Sequence, residues 1–362
     1  MKKLMLCALL LCLPAMAQDQ TYKIAVIGLV HSHVWGHIGK MLKGDPARLV
    51  GVYDQHPDLI EEVKKDAARL GVPAPKFYDD YAKMLDTEKP DIVWAFVENN
   101  RHLEIVQACA PRKINVVFEK PLASTYKDAA AIRDLARKHG IRVMVNYQMA
   151  WWPAQYAAKQ VADSGDIGTI YRLHGIVGHG GPGSDGVRNK YFFEWLTDPA
   201  KNGAGALMDF GCYNALWSLW YLGRPQSVYA TANHLQPERF PKVEDNATIL
   251  LSYPNAVGIY EGSWDLPRGF QDLEVFGRQG SVTMTARKVE ENKAGKTKEI
   301  EFRPLTGPLA DPVSYMVDAI KNNKPIEGLT AIDINVEVNE IVDAAKESIK
   351  TGKPVTLGAP TP

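Results

Sequence analysis

From Lys23 to about Tyr147 short apolar runs alternate with stretches whose apolar residues recur every three or four positions. The runs are KIAVIGL, ARLVGVYD, DIVWAFV, INVVFE and RVMVNY; between them lie HVWGHIGKMLKG, PDLIEEVKKDAARLG, HLEIVQACAPRK and YKDAAAIRDLARKHG. Runs apolar at nearly every position predict strands buried on both faces, and the helical periodicity between them predicts crossover helices. The expected class is α/β, with a doubly wound parallel Rossmann sheet over residues 22–148.

After about Ala150 the texture changes. One helix, WPAQYAAKQVADSG, leads into the β-rich runs TIYRLHGIVGH, SVYATANHL, NATILLSYPNAVGIYEGSW and LEVFGRQGSVTMT. The Asn of SYPNAVG, set between apolar runs, signals a hairpin. Residues 149–362 are thus expected to form an α+β domain around a mostly antiparallel sheet, with the tail helical from about Pro312 to Lys350.

Charge and cysteine add limits. The 42 basic and 42 acidic residues balance, so nothing points to nucleic acid or an anionic surface. Residues 1–17, MKKLMLCALLLCLPAMA, have the basic start, short apolar run and small residues of a signal peptide, too short to span a membrane. Cleavage after Ala17 leaves 40 basic against 42 acidic residues and only Cys109 and Cys212. Two buried free thiols are expected rather than a disulfide. A lipoprotein site at Cys12 is disfavoured by Leu11 before it.

Three segments carry candidate chemistry. The first, GLVHSHVWGHIG at 28–39, stands where a doubly wound sheet needs a tight turn feeding phosphate to a helix N-terminus; Gly28 supplies the turn, while Val30 and His33 fill the other two slots of G-x-G-x-x-G. Asp54, 26 residues on, is placed to hold the ribose hydroxyls and would favour NAD over NADP, or else to cap the following helix. The second, FEKP at 118–121, puts Glu119 and Lys120 at the carboxyl end of a strand, where ligands bind or where a surface turn would lie. The third, NGAGALMDFGCYNALWSLWYLG at 202–223, sets Asp209 and Tyr213 four apart on one helical face, either an acid/base pair or a core tyrosine bonded to an aspartate. A phenol of ordinary pKa about 10 needs a nearby cation to act as a base near neutrality, and Lys120 could be that cation.

Taken together these segments resemble the glucose-fructose oxidoreductase / inositol dehydrogenase / rhizopine catabolism family, Gfo/Idh/MocA, over nearly the whole mature chain. EKPLA at 119–123 and GAGALMDFGCY carry most of the likeness, supported by ENNRHLE at 98–104, through Asn99, His102 and Glu104, and by Asn146 in VNYQMAWWPAQY. The resemblance implies a nicotinamide-binding domain, an open-faced sheet that shapes a sugar site and mediates homo-oligomers, and hydride transfer to or from a sugar or polyol carbon. It implies Lys120, Asp209 and Tyr213 as catalytic residues, with Tyr213 exchanging the hydroxyl proton while Lys120 lowers its pKa. Gly28, Val30, His31, His33, Asp54, Asn99, His102, Glu119, Lys120 and Asn146 are expected to bind the cofactor, NAD or NADP.

The departures sharpen the expectation. Val30 puts a branched side chain where a backbone normally approaches pyrophosphate, and His31, Ser32 and His33 offer side-chain donors instead. His33 and His37 also have metal-ligand spacing with His31 close by, but no carboxylate or thiolate motif accompanies them, so no metal is expected. The leader lacks an Arg-Arg pair and reads as a Sec signal, placing the mature chain in the periplasm without a membrane anchor. Three function classes stay open: an oxidoreductase, an NAD-assisted glycoside hydrolase of the same superfamily, and a binding protein on this fold. Trp151, Trp152, Phe192, Phe193 and Trp195 would suit a sugar ring or plain packing, and His179 and Arg188 lie in a loop that could close over substrate.

Overall fold

The structure, a computed structural model, describes residues 21–358; the leader reading at 1–17 lies outside them. Six strands, β1 (Tyr22–Ile27), β2 (Ala47–Tyr53), β3 (Lys76–Tyr78), β4 (Ile92–Ala95), β5 (Asn115–Glu119) and β6 (Val143–Asn146), form a sheet in the order β3-β2-β1-β4-β5-β6. Every pairing in it is parallel, the order of the dinucleotide-binding fold. Its crossovers include α1 (Val34–Lys43), α2 (Pro57–Leu70), α3 (Tyr81–Glu88), α4 (His102–Cys109) and α5 (Tyr126–His139). β4, β5 and β6 are buried at every position, as their unbroken apolar runs require.

The chain then enters α6 (Pro153–Asp163), β7 (Ile170–Gly178), α7 (Val187–Leu196), α8 (Pro199–Asn202) and α9 (Ala206–Leu222). The second sheet adds β8 (Ser227–Asn233), β9 (Asn246–Ser252), β10 (Val257–Ser263), β11 (Phe270–Gly277), β12 (Gly280–Met284), β13 (Val289–Lys293), β14 (Lys296–Glu299) and β15 (Val355–Thr356). Its order is β14-β13-β12-β11-β7-β10-β9-β8-β15, antiparallel throughout except for β7 beside β10. Along β9 and β10 burial alternates residue by residue: one face packs on α9, the other stays open. α9 is apolar nearly all round and buried from Ala206 to Leu219, as a helix wedged between layers must be.

Several elements differ from the sequence expectation, which did not include β3 and α3. The helical tail is two helices, α10 (Pro312–Lys321) and α11 (Ile332–Thr351); Asn323 at φ 49 breaks the spiral, and Pro325 lacks the amide that would continue it. β13 and β14 form a charged hairpin in a stretch without hydrophobic alternation. Its turn residues Ala294 and Gly295 both have positive φ, the geometry a two-residue hairpin needs. The aromatic segment after the glycine-rich loop is a helix, α7. Cys109 and Cys212 are free and buried, and burial pushes both thiols up to about 12.

Candidate active site

The site forms where the carboxyl ends of β1, β5 and β6 meet the start of α9. Gly28 turns the chain at φ 83, and a Cβ there would stand 2.5 Å from Val97 Cγ1 and 2.8 Å from the Phe96 carbonyl, so only glycine fits. The loop is then pinned: the His31 amide donates to the Phe96 carbonyl at 3.1 Å, and the Trp195 indole to the Val30 carbonyl at 3.2 Å.

Glu119 and Asn146 are register partners at the ends of β5 and β6. The Asn146 amide donates to Glu119 Oε1 at 2.7 Å and receives the Trp151 indole N–H at 2.7 Å. Glu119 Oε2 meets His33 Nδ1 at 2.8 Å. Burial works to raise the Glu119 carboxyl, but the bond and charge of His33 outweigh it and hold it below the usual range. His31 is buried; that burial, with the positive charges of His33 and Lys120, lowers its pKa well below the ordinary value.

Lys120 is buried and pairs with Asp209 Oδ1, while also donating to the Asp209 carbonyl at 3.1 Å. Burial alone would lower the ammonium pKa; the Asp209 charge reverses this and carries it above its usual value. Asp209 answers in the opposite sense, its carboxyl raised by burial and held low by Lys120. The Trp264 indole donates to Asp209 Oδ2 at 2.8 Å, so both oxygens are satisfied. Asp209 is placed by a close approach at Gly205, where a Cβ would fall 1.9 Å from the Glu244 carbonyl. That contact lets the Glu244 carboxylate accept from the amides of Gly205 at 2.7 Å and Leu207 at 3.0 Å, capping α9.

Tyr213 lies one turn on, with Lys120 Nζ 5.3 Å from its ring centre. Asp209 and Tyr213 share one face of α9, as their spacing predicts, and Lys120 acts to lower the phenol pKa, as expected, without overcoming its burial. Burial raises the phenol well above its ordinary range and Lys120 offsets only part of it, because the ammonium is committed to Asp209. Tyr213 is therefore a protonated phenol at neutral pH.

Lys120, Asp209, Tyr213 and His33 line a cavity of about 260 Å³ together with His179 and Gln148. A neighbouring cleft of about 500 Å³ shares His179, Phe210 and Gln271 with it and is walled by Trp152. Trp264, Glu244 and Gln148 escaped the sequence reading. Only the fold brings the Trp264 indole to Asp209, the Glu244 carboxylate to the first amides of α9, and Gln148 to the cavity.

Other sequence candidates divide. His102 is fully buried, donates from Nδ1 to the Leu122 carbonyl at 3.0 Å on the neutral tautomer, and leaves Nε2 without a partner; burial lowers its pKa to about 4. Asn99 spends its amide on Asn202 across the domain junction at 2.7 Å, with its oxygen free of protein partners. Asp54 is buried, and accepts from the Leu29 amide at 2.5 Å and the His56 amide at 2.7 Å. It pins the turn instead of capping α2, whose N-cap is His56. Arg188 does not line the cavity but pairs with Glu62 at 2.8 Å and Asp66 at 3.1 Å on α2.

α7 packs against α2 and the turn at His31. Phe192 and Trp195 pack on His31 at 4.9 and 5.5 Å; Tyr191 packs on His56 at 3.9 Å and donates to Asp58 at 2.9 Å. The residues present nonetheless suit a nicotinamide dinucleotide: a glycine turn into α1, an acid closing β2, and an orphaned buried acceptor at His102 Nε2 of the kind a ribose hydroxyl satisfies.

The comparisons agree with this geometry. Residues 22–147 match the oxidoreductase family with an NAD-binding Rossmann fold, and residues 156–283 match the GFO/IDH/MocA C-terminal domain. The chain is 27% identical to a D-xylose 1-dehydrogenase (NADP(+)) of Haloferax volcanii over 80% of its own length and 87% of the relative's. It is 25% identical to a myo-inositol 2-dehydrogenase of Thermotoga maritima, over 72% and 74% of the two chains. An aldose-aldose oxidoreductase from Caulobacter crescentus complexed with glycerol superposes with a TM-score of 0.79 at 20% identity, covering 93% of this chain and all of the other. Two matched domains in the family's order identify the chain as an NAD(P)-dependent oxidoreductase of the GFO/IDH/MocA family.

Proposed function

We propose that this oxidoreductase moves a hydride between NAD(P) and a CH–OH carbon of a sugar or polyol, with Lys120, Asp209 and Tyr213 as its catalytic group. The observation that carries the proposal is Lys120, buried beside Asp209 and lining the cavity. Two of its three N–H donors go to Asp209, which leaves the third for a substrate oxygen. When bound, the nicotinamide supplies the hydride acceptor or donor. Lys120 stabilises negative charge developing on the reacting oxygen. Tyr213, held protonated, hands a proton to that oxygen when a carbonyl is reduced; in the oxidation direction the phenol first releases its proton to solvent and then takes that of the substrate hydroxyl. The dehydrogenases and the aldose-aldose oxidoreductase named above act on substrates of this type and support the choice. Asp54 at the end of β2 favours NAD over NADP, and His31 and His33 stand at the phosphate turn.

The test is Lys120→Ala with cofactor occupancy measured on the same sample. Turnover is expected to vanish while NAD stays bound, and undiminished turnover would defeat the assignment. One observation favours a second reading: the cleft of about 500 Å³ joined to the cavity has room for a second sugar, as an NAD-assisted glycoside hydrolase requires. Cleavage of a glycoside without accumulation of NADH would select it. We also place the mature chain outside the cytoplasm and expect it to self-associate through the open face of the second sheet, which light scattering on the purified protein tests. Among the described residues no helix is long and apolar enough to cross a membrane.

A further inference from the structure

We propose that His31, His33 and Glu119 form a binding site for a divalent transition-metal ion of the zinc class, with one coordination position left open to the catalytic cavity. The sequence offered two histidines without a carboxylate; the fold supplies it from 86 residues away at the end of β5. Each of the three residues presents one ligand atom, and these atoms lie within 4.8 Å of one another. A tetrahedral ion with bonds of about 2.0–2.2 Å holds its ligand atoms roughly 3.4 Å apart. The 2.8 Å pair of His33 Nδ1 and Glu119 Oε2 therefore opens slightly, His31 closes slightly, and the loop needs no refolding.

Two histidines and a glutamate are a ligand set that leaves a fourth position for water or substrate. Here the open side is defined, because His33 lines the cavity with Lys120 and Tyr213, whereas His31 and Glu119 are closed off from solvent. The support behind the ligands is also in place. Glu119 Oε1 is fixed by Asn146, and Asn146 by the Trp151 indole, the outer-shell bonding that orients a ligating carboxylate. Phe192 and Trp195 wall His31 on its other side, and in binding the ion His31 gives up only a long 3.3 Å contact with the His33 amide. His37, the other half of the helical spacing seen in the sequence, packs on Trp94 at 4.5 Å and belongs to the wall of α1.

The test is equilibrium dialysis of untagged, cofactor-free mature protein against zinc, with bound metal counted by elemental mass spectrometry. Wild type is expected to retain about one zinc per chain and to give the intense visible bands of a tetrahedral site when cobalt(II) replaces zinc. His33→Ala and Glu119→Gln, checked for folding by thermal denaturation, should bind at least about 100-fold more weakly, and Trp151→Phe about 10-fold more weakly. His37→Ala should bind as wild type does. Absence of stoichiometric zinc on wild type, undiminished binding by the first two variants, or loss in His37→Ala would each overturn the site. NAD binding, followed on the same wild-type sample, reports on the oxidoreductase reading separately: a protein that binds NAD and no zinc refutes this inference alone.

Discussion

Asp209→Asn is the sharpest probe of the buried charge pair. The carboxylate accepts on both oxygens, from Lys120 on one and from the Trp264 indole on the other. An asparagine accepts on one side only, so whichever way the amide lies, a donor is left facing a donor. Lys120 then remains buried without a counter-charge. Removing one partner of a buried pair costs about 3–5 kcal/mol. At roughly 2.1 cal/mol/K of unfolding entropy per residue, a chain of this size loses about 4–7 °C in Tm. The pH dependence gives the sign. In wild type the folded Lys120 titrates above its ordinary value of about 10.4, so its contribution is complete below that pH and is lost only as pH rises through the higher folded value. The folded Asp209 titrates below its ordinary value of about 3.9, so its share is complete above that pH and lost as pH falls through the lower folded value. The pair thus adds no slope between roughly pH 5 and 9. In the variant the Asp209 charge no longer answers desolvation, the folded pKa of Lys120 falls below the unfolded one, and stability rises with pH by up to about 1.4 kcal/mol per unit. Thermal denaturation at pH 7 and pH 9 measures both effects. A loss under about 2 °C at pH 7, against the 4–7 °C expected from the entropy scale, or no recovery at pH 9 relative to wild type, would show that water reaches the pair and that the argument is wrong.

Three further outcomes are expected. Gly28→Ala, with a Cβ 2.5 Å from Val97 Cγ1 at φ 83, should cost about 2 kcal/mol or more and weaken NAD binding, read by denaturation and calorimetry; a neutral variant would mean the turn relaxes freely. Because Tyr213 is held as a phenol by burial, kcat/KM should show no ionisation between roughly pH 6.5 and 9 that Tyr213→Phe removes; such an ionisation would mark an activated phenolate. Arg188→Ala and Tyr191→Phe unfasten α7 from α2 and should raise the NAD dissociation rate several-fold in stopped flow, and unchanged rates would show that α7 does not cover the cofactor's route.

Five strands of the parallel sheet were legible because they are mostly apolar runs, a pattern that survives without tertiary context; β3, three residues long and partly exposed, was not. β13 and β14 were not, since their residues are mostly charged and their pairing is carried by the turn at Ala294–Gly295. α7 was hidden because its aromatic residues follow no clean helical stripe: they face α2 and the turn at His31 on one side and the cavity on another. Within the site, Lys120, Asp209 and Tyr213 could be found from local segments. The state of Tyr213 could not, because it depends on how burial and the Lys120–Asp209 pair balance. The role of Glu119 was visible only as half of EKP, and its partner His33 came from a loop whose neighbours in sequence offered no carboxylate.

Hydride transfer assisted by Lys120 is read directly in a single turnover. Wild type and Lys120→Ala are loaded to equal NAD occupancy, mixed with a panel of aldoses and polyols, and followed by the near-ultraviolet absorbance of reduced nicotinamide in a single turnover. Wild type should reduce its bound cofactor with at least one of these substrates, and Lys120→Ala should be slower by about 1,000-fold or more, the loss of roughly 4 kcal/mol of transition-state stabilisation. Equal rates in the two proteins, or no reduction by wild type with its cofactor in place, would contradict it.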